Sequence, residues 1–204
     1  MADPRGQYSI SGVLLAAGAS LRFGGELPKQ LQAFAGEPLV RRAARALVLS
    51  RLAEVIVVTG FCDELVSEAL SGLDVQLVHN PRYAEGQSTS VKVGLCAVSP
   101  GSEGACFCPC DQPFLDPTTI DLLCRCHQAG DSAVTLPSFA GRRGAPVFFR
   151  RSMFSALMEI DGDEGGRQVL RDHPDEVLEV ELDEERPILD VDTREDLQRL
   201  EASM

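Results

Sequence analysis

The hydrophobic residues of the chain follow two alternating patterns. Short apolar runs rich in branched residues, bounded by turn residues, are typical of strands buried on both faces of a parallel sheet. These runs cover residues 10–16, 54–60, 75–79, 104–110 and 133–137. Stretches with apolar residues at helical spacing separate them, at 39–52, 63–70, 90–98 and 117–127. The alternation predicts βαβ units, and therefore an α/β fold in which helices cover both faces of a mostly parallel sheet as a three-layer sandwich.

The last third of the chain departs from this alternation. Residues 147–149 form another short apolar run, and residues 152–160 have helical spacing. Residues 177–182 alternate apolar and acidic side chains, from which we expect an exposed antiparallel strand at the edge of the sheet. Thr193 and Asp196 have the spacing of a capping box, which predicts a helix that begins after Thr193.

The length and the charge of the chain limit its architecture and its partners. A chain of 204 residues suits one α/β domain, and we expect a single domain over residues 1–204. The net charge is −12, and residues 1–158 carry fourteen acidic and fourteen basic side chains, so the excess lies in residues 159–204. Nucleic acids and anionic membranes require a basic surface and are therefore not expected as partners. The acidic segment is interpreted as solvated faces or as a docking surface for a basic protein.

The cysteines indicate a reducing compartment. There are seven, an odd number, and none forms a C-x-x-C pair. The first residues have no targeting character, and no apolar run approaches the roughly eighteen residues of a spanning helix, so we expect a cytoplasmic location. Cys106, Cys108 and Cys110 share one face of a predicted strand. They are interpreted as small buried hydrophobes, with a metal site as the alternative.

A glycine-rich loop follows the first predicted strand. Gly18, Gly24 and Gly25 allow backbone amides to approach a bound group, and Arg22 and Lys29 add two cations. The spacing is neither that of a dinucleotide-binding fingerprint nor that of a P-loop. Only two of the nineteen basic residues are lysines, and a compact ammonium suits phosphate oxygens. The loop therefore predicts polyphosphate binding, with an ordinary glycine-rich turn carrying solvated cations as the alternative.

Residues 15–29 match the pattern L-A-[AG]-G-x-x-x-R-[MF]-G followed by P-K. The chain thereby resembles nucleotidyltransferases with a Rossmann-like, glycosyltransferase-A-like fold, and most closely the branch that includes molybdenum cofactor cytidylyltransferases. The resemblance implies a nucleotide-binding half over about residues 10–112 and an acceptor-binding half over about residues 113–204. The nucleotide site that it implies consists of Leu15, Ala16, Ala17, Gly18, Arg22, Lys29 and Ser90.

Ser90 belongs to a second matching segment. Residues 80–90 resemble the family's N-P-x-[WY]-x-x-G-x-x-x-S stretch, whose serine region lies near the nucleotide base. From the residues alone, Ser88 or Thr89 is typical of a helix cap. The two roles are compatible, because the amino end of a helix is also an anion site.

Two aspartates that are distant in the sequence are the candidate metal ligands. Asp111 follows a predicted strand, and ligands of parallel α/β sheets gather beyond the carboxyl ends of strands. The alternative for Asp111 is a turn former before Pro113. Residues 111–113 (D-Q-P) and 190–193 (D-V-D-T) resemble two family motifs. The resemblance implies that Asp111 and Asp192 together hold Mg²⁺ on the nucleotide phosphates.

Two further segments resemble the acceptor side of the family. Residues 143–146 resemble its R-G-H-P element, but Ala145 stands in place of the histidine and leaves the identity of the acceptor open. Residues 162–167 match its G-D-x-G-x-R element. The implied acceptor-binding residues are Arg143, Gly144, Asp163 and Arg167. On the residues alone, Asp163 is equally suited to cap the following helix and Arg167 to lie on the surface.

Together these motifs imply a Mg²⁺-dependent nucleotidyltransferase, in which an acceptor phosphate attacks the α-phosphorus of a nucleoside triphosphate and expels pyrophosphate. Arg22, Lys29 and Asp111 are the expected catalytic residues, because charge must be stabilised on the phosphates. In the family the L-A-A-G form accompanies CTP, so the expected reaction transfers CMP from CTP to molybdopterin for a molybdoenzyme client. The alternatives are a GTP-dependent guanylyltransferase, a cytidylyltransferase for another phosphorylated acceptor such as one of isoprenoid synthesis, and a non-catalytic carrier of the molybdenum cofactor.

Overall fold

A computed structural model describes residues 8–19, 23 and 27–204 of the chain. The strands are β1 (Ile10–Leu15), β2 (Ala33–Phe34), β3 (Glu37–Pro38), β4 (Glu54–Thr59), β5 (Gln76–His79), β6 (Gly104–Pro109), β7 (Val134–Phe139), β8 (Arg142–Arg143), β9 (Val147–Arg150) and β10 (Val177–Glu181). The helices are α1 (Leu39–Leu49), α2 (Asp63–Ala69), α3 (Gln87–Ala97), α4 (Pro117–Ala129), α5 (Phe154–Glu159), α6 (Arg167–Asp172) and α7 (Arg194–Ala202). Short 3-10 turns cover Lys29–Leu31, Tyr83–Glu85, Arg151–Met153, Pro174–Glu176 and Arg186–Ile188.

The main sheet has the strand order β10-β7-β9-β6-β1-β4-β5, with β8 paired to the end of β7. β1 lies inside the sheet and runs parallel to both of its neighbours, β4 and β6. β5 and β10 form the two ends of the sheet, and each is parallel to its neighbour. The strands β1, β4, β5 and β6 therefore all end at one edge of the sheet, where the loops that follow them come together.

Apolar side chains cover both faces of the sheet. One core cluster includes Leu47 of α1 and Ile120 of α4, and the other includes Val91 of α3 and Leu157 of α5. Burial of each such side chain contributes about 1.5–3 kcal/mol to stability. This arrangement of helices on both faces of a mostly parallel sheet confirms the predicted three-layer α/β sandwich.

The expected position of the antiparallel strand is wrong. β10 does lie at the edge of the sheet, but it pairs in parallel with β7, whereas β9 is antiparallel to both β6 and β7 and lies between them. Phe148 and Phe149 of β9 are 0% and 2% exposed and belong to the core clusters on opposite faces of the sheet. The alternation in residues 177–182 indicates one exposed face, which a parallel edge strand also has, and it carries no information on direction.

The cysteines of β6 lie in the core, as predicted. Cys106 and Cys108 are fully buried in the cluster under α1 and α4, and Cys110 packs against that cluster. Burial raises the pKa of the Cys110 thiol to about 12, and it raises the pKa of the Cys106 and Cys108 thiols well above the ordinary value of a cysteine. All seven cysteines are free thiols. These properties agree with small buried hydrophobes rather than with metal ligands.

The predicted capping box is present at the start of α7. The Asp196 amide donates to Thr193 Oγ1 over 3.1 Å, and the Thr193 amide donates to Asp196 Oδ2 over 3.0 Å. Two orphan amides of the helix end are thereby satisfied. None of the helices in the described part of the chain is long and apolar enough to cross a membrane.

Candidate functional site

The loop after β1 is fixed from two sides. The Ala16 amide donates to the carbonyl of Val58 over 2.9 Å, which continues the pairing of β1 with β4. On the other side, the Gln30 side chain donates through Nε2 to the carbonyl of Gly18 over 2.8 Å and lies 3.5 Å from that of Ala16. Gln30 is 1% exposed, whereas Gly18 is exposed and a Cβ added to it would meet no atom of the described residues within 4 Å. The described part of the loop thus leaves the backbone at Gly18 accessible.

The predicted nucleotide-binding residues of this loop occupy different depths. Leu15 is the last residue of β1, and Ala16 and Ala17 are 1% and 3% exposed. Gly18 is the exposed member of the group. Arg22, like Gly24 and Gly25, lies outside the described residues, so its predicted role stays a prediction.

Lys29, which lies after the glycine-rich loop, contacts both predicted metal ligands. Its Nζ lies 2.6 Å from Asp111 Oδ2 and 3.3 Å from Asp192 Oδ1, and it donates hydrogen bonds to both. The Lys29 and Asp111 side chains are 15% and 19% exposed, whereas that of Asp192 is 73% exposed. Three residues separated by up to 163 positions in the sequence therefore meet at one point.

The segment that bears Asp192 is anchored directly to Asp111, which follows the end of β6. The Val191 amide donates to the carbonyl of Asp111 over 2.9 Å. The Val191 side chain is 0% exposed and packs in a small cluster with Phe34, Leu39 and Leu200. This buried anchor places Asp192 beside Asp111, because Asp192 is the next residue after Val191 and its side chain lies on the exposed side of the segment.

The site is a compact group of charges. Burial alone would lower the pKa of Lys29, but the negative charge of Asp111 and the hydrogen bond to it outweigh burial, so the Lys29 pKa is raised. Partial burial, followed by repulsion from the charges of Asp192 and Asp111, raises the pKa of Asp190. Lys29 is accordingly a cation at neutral pH and the countercharge of the surrounding carboxylates.

The paired carboxylates suit a divalent cation. Hard cations such as Mg²⁺ prefer oxygen ligands and are commonly held by one or two carboxylates together with phosphate oxygens of a substrate. Asp111 and Asp192 already share one cationic partner, the Lys29 ammonium. Within the described ranges, no group of three or more His, Cys, Asp or Glu side chains could hold a metal. The protein thus offers a pair of carboxylates, and the remaining ligands would come from phosphate and water.

Ser90 takes part in a buried network at the start of α3. Asn80, which is 1% exposed, donates through Nδ2 to Thr89 Oγ1 and to Ser90 Oγ, both over 2.9 Å. α3 begins at Gln87, three residues before the predicted start. The residue before the helix is Gly86, which has no side chain that could cap it. The expected cap role of Ser88 or Thr89 is therefore wrong, since both residues lie inside the helix.

Asp163 lies at the amino end of α3 rather than at that of α6. Its Oδ1 accepts a hydrogen bond from the Gln87 amide over 3.3 Å, and the adjacent carbonyl of Gly162 accepts one from the Ser88 amide over 3.0 Å. The residue that precedes α6 is Gly166, and no side chain caps that helix. Asp163 thus does not cap the helix that follows it, which was one of its two expected roles.

The other predicted acceptor-side residues lie on β8, after it and at the start of α6. Arg143 Nη2 forms an ion pair with Glu179 Oε1 of β10 at 2.7 Å. The Gly144 amide donates to the carbonyl of Pro137 over 2.8 Å, and a Cβ at Gly144 would lie 2.5 Å from Ile188. Arg167 is the exposed first residue of α6. The sequence alone suggests no partner for Arg143, because Glu179 is 36 positions away.

Sequence reasoning missed the two buried amide side chains that support the site. Gln30 follows Lys29 directly, and Asn80 opens the segment that ends at Ser90. The available signal was a polar amide within a motif segment, directly after Lys29 for Gln30 and at the first position of residues 80–90 for Asn80. Neither spacing nor hydrophobic pattern reveals that such a side chain is buried, so the signal does not identify its partner.

Comparison with known proteins adds evidence that is independent of this geometry. The family model of the MobA-like NTP transferase domain matches residues 12–177. The chain is 31% identical over 198 residues to nicotine blue oxidoreductase of Paenarthrobacter nicotinovorans, covering 94% of this chain and 96% of that protein. It is 29% identical over 191 residues to molybdenum cofactor cytidylyltransferase of Escherichia coli (strain K12), covering 92% of this chain and 93% of that protein.

A solved structure gives the same picture in three dimensions. The crystal structure of Rv0371C in complex with manganese, from Mycobacterium tuberculosis H37Rv, is similar with a TM-score of 0.79 and 28% identity, covering 96% of this chain and 99% of that chain. The matched family segment includes the loop after β1 and Asp111, and the chain adds Asp192 beyond it. The chain therefore belongs to the MobA-like NTP transferase domain family, and it is a nucleotidyltransferase.

Proposed function

We propose that the protein transfers CMP from CTP to the phosphate of molybdopterin and releases pyrophosphate. The observation that carries the proposal is the meeting of Lys29, Asp111 and Asp192 at the carboxyl edge of the parallel strands. The similarity to the E. coli cytidylyltransferase over nearly the whole of both chains supports the choice of substrates.

In this proposal the nucleophile belongs to the acceptor, so the protein supplies position and charge. The backbone around Gly18, held by Gln30, faces the triphosphate. The Lys29 ammonium stabilises the charge that develops on the leaving pyrophosphate, and Arg22 shares that role. Asp111 and Asp192 would hold Mg²⁺, which when bound neutralises phosphate charge.

The preference for one nucleotide base is assigned to the closely packed residues beside the loop after β1, which form one wall of the proposed base site. Ala17 is 3% exposed, and a Cβ added to Gly60 would lie 2.9 Å from the Ala17 Cβ and 2.8 Å from that of Tyr83. The methyl group of Ala17 therefore lies in a closely packed wall in which extra atoms have little room. We assign to this wall, together with Ser90, a preference for the smaller pyrimidine base.

The acceptor is assigned to the later part of the chain. Arg143, Gly144, Asp163 and Arg167 are the proposed acceptor-binding residues, and the proposed division of the chain near residue 112 follows from them. The exposed guanidinium groups of Arg143 and Arg167 are suited to an anionic acceptor.

Pyrophosphate release tests the proposal. The purified protein is incubated with molybdopterin, Mg²⁺ and one of the four nucleoside triphosphates, and the dinucleotide product is identified by mass spectrometry. CTP-dependent release is the expected result. Preferential turnover of GTP would replace the base assignment, whereas turnover with another phosphorylated acceptor but not with molybdopterin would replace the acceptor.

Asp111→Ala separates an enzyme from a carrier of the molybdenum cofactor. An enzyme loses pyrophosphate release with this variant, whereas a carrier still delivers cofactor to a molybdoenzyme. Nicotine blue is included as a further substrate because one relative is named for its oxidation or reduction. Its turnover without any nucleotidyl transfer would overturn the proposal.

A further inference from the structure

The Lys29 side chain occupies the position between the two carboxylates proposed as metal ligands. Its ammonium lies 2.6 Å from Asp111 Oδ2 and 3.3 Å from Asp192 Oδ1, and the side chain is 15% exposed. The same carboxylate oxygens that suit a divalent cation are therefore hydrogen-bonded to a cation that is part of the chain.

We propose that the Lys29 ammonium and a divalent cation compete for Asp111 and Asp192, and that a bound triphosphate decides the competition by drawing the ammonium to its own oxygens. The cation alone then binds weakly, and it binds tightly together with the triphosphate. This inference rests on the proposed function, because it uses the same two carboxylates as metal ligands.

The charges at the site support this competition. Two carboxylates that share one ammonium keep a single net negative charge, and a divalent cation beside that ammonium is repelled by it. Unit charges about 4 Å apart near a protein surface interact by several kcal/mol, which is enough to change an affinity at least tenfold. A triphosphate removes this opposition, since it offers the ammonium an alternative anionic partner.

The backbone and the side chain of Lys29 differ in their freedom. The backbone is fixed, because the carbonyl of Lys29 accepts from the Gln32 amide over 3.0 Å and the neighbouring Gln30 is anchored to the loop after β1. The side chain is a flexible four-carbon stem that ends in a point charge, which can turn from one acceptor to another. Asp192, at 73% exposed, is also able to move, whereas Asp111 is confined.

The first experiment measures the affinity for Mn²⁺ alone by electron paramagnetic resonance. We expect Lys29→Met to bind Mn²⁺ at least about tenfold more tightly than the wild type, and Lys29→Arg to keep the weak binding because it keeps the charge. Lys92→Met is the matched control, because it removes the other lysine, which forms an ion pair with the exposed Asp161 and with neither proposed metal ligand among the described contacts. Unchanged or weaker binding by a folded Lys29→Met overturns the proposal.

The second experiment measures the coupling between Mn²⁺ and inorganic tripolyphosphate, corrected for their complex measured without protein. In the wild type, tripolyphosphate is expected to tighten Mn²⁺ binding by at least tenfold, and in Lys29→Met this factor falls toward one. An equal factor in both proteins overturns the role of Lys29 in the exchange.

A double variant separates failure of this inference from failure of the proposed function. Lys29→Met combined with Asp111→Asn is expected to lose the Mn²⁺ binding that Lys29→Met gains. If Mn²⁺ binds equally well to the double variant, the metal does not use Asp111, and the proposed metal site fails. If Lys29→Met binds Mn²⁺ no more tightly than the wild type but the added Asp111→Asn still weakens this binding, the competition fails and the metal site stands. Circular dichroism confirms that each variant is folded.

Discussion

At the scale of single residues, the two carboxylates of the site differ in how firmly they are held. Asp111 follows the end of the central strand β6 by two residues, its side chain is 19% exposed, and its carbonyl accepts from the Val191 amide. Asp192 is 73% exposed and is held in place through the preceding residue, the buried Val191. A confined carboxylate is better preorganised than an exposed one, so the two residues are not equivalent.

We therefore expect Asp111→Asn to reduce the rate of pyrophosphate release by about a hundredfold to a thousandfold, and Asp192→Asn to reduce it less. The rates are measured at saturating CTP and at several Mg²⁺ concentrations. Asp121→Asn in α4 is the control and keeps the wild-type rate, because the Asp121 carboxylate accepts from the Arg51 amide over 2.8 Å and an asparagine oxygen can accept the same hydrogen bond. A larger loss from Asp192→Asn would show that exposure does not set the contribution of each carboxylate.

Gln30 carries a second prediction at this scale. Gln30→Leu removes a buried donor that serves the carbonyl of Gly18 and lies 3.5 Å from that of the buried Ala16, so we expect a loss of about 1–3 kcal/mol in the free energy of unfolding. The nucleotide affinity falls as well, because the loop loses its support. Urea unfolding and CTP titration measure the two effects.

Gln32→Leu is the matched control for Gln30. Its side chain donates to the carbonyl of Leu27 over 2.8 Å at an exposed position, so water can replace the lost hydrogen bond. A stability change of similar size in both variants would contradict the role of burial at Gln30.

The residues that carry the proposed chemistry were easier to predict than the side chain that supports the loop after β1. Lys29, Asp111 and Asp192 lie in motifs whose residue types suggest phosphate and metal binding. Gln30 is distinguished by burial and by the backbone carbonyls that it contacts, and both properties arise only from the packed loop. The sequence pattern contains neither.

At the scale of elements, the amino end of α3 is completed by a loop 76 positions away. The loop that bears Gly162 and Asp163 accepts hydrogen bonds from the first amides of the helix. Gly86 makes the close approach feasible, because a Cβ there would lie 2.6 Å from the backbone of Gly162. The segments assigned to the base and to the acceptor are thus in direct contact.

We expect Gly86→Ala to destabilise the protein by at least about 1–3 kcal/mol. Gly86 has φ of +117°, a conformation that alanine rarely adopts, and the added methyl group would also contact the backbone of Gly162. Gly101→Ala is the control, since a Cβ there meets no atom of the described residues within 4 Å and the change in stability should stay within about 0.5 kcal/mol. Equal midpoints of chemical unfolding for the two variants would contradict this account.

The element scale also explains the two wrong expectations about secondary structure. The serine and threonine residues after Gly86 are typical of helix caps, but the acceptors for the first amides of α3 come from a distant loop, so the helix starts earlier. The edge strand β10 runs parallel to β7, and the antiparallel strand is β9, which lies inside the sheet. Hydrophobic pattern specifies which faces are buried, whereas start points and strand direction depend on contacts between distant segments.

At the scale of the whole molecule, His127 links α4 to three adjacent strands. Its Nδ1 lies 2.9 Å from Thr135 Oγ1 of β7, its ring lies 5.8 Å from that of Phe148 in β9, and its Nε2 lies 3.5 Å from the position of a Cβ added to Gly104 of β6. Burial, and after it the charge of Arg150, lowers the pKa of His127 to about 4. The folded protein therefore keeps this imidazole neutral.

Stability is consequently expected to depend on His127 between pH 6.5 and about 4. In that range the unfolded chain binds a proton at this histidine and the folded chain does not, so stability falls as the pH falls, by at most about 1.4 kcal/mol per pH unit. Urea unfolding from pH 7 to pH 4.5 should show a shallower decline for His127→Gln than for the wild type. Parallel curves for the two proteins would contradict the prediction.

The overall architecture was the most predictable level, and the order of the strands the least. Each buried strand and each amphipathic helix leaves a local pattern, from which a three-layer sandwich follows. The insertion of β9 between β6 and β7 leaves no such pattern, because a strand buried on both faces has the same composition in either direction.

The hydrogen bond from the Val191 amide to the carbonyl of Asp111 joins residues that are 80 positions apart in the chain. It has a consequence for protein synthesis. A nascent chain that still holds residue 191 inside the ribosome can expose the glycine loop and Asp111, but not the second carboxylate. The proposed transfer therefore begins only after residue 192 has emerged, and chains that terminate before this residue are expected to lack transfer activity.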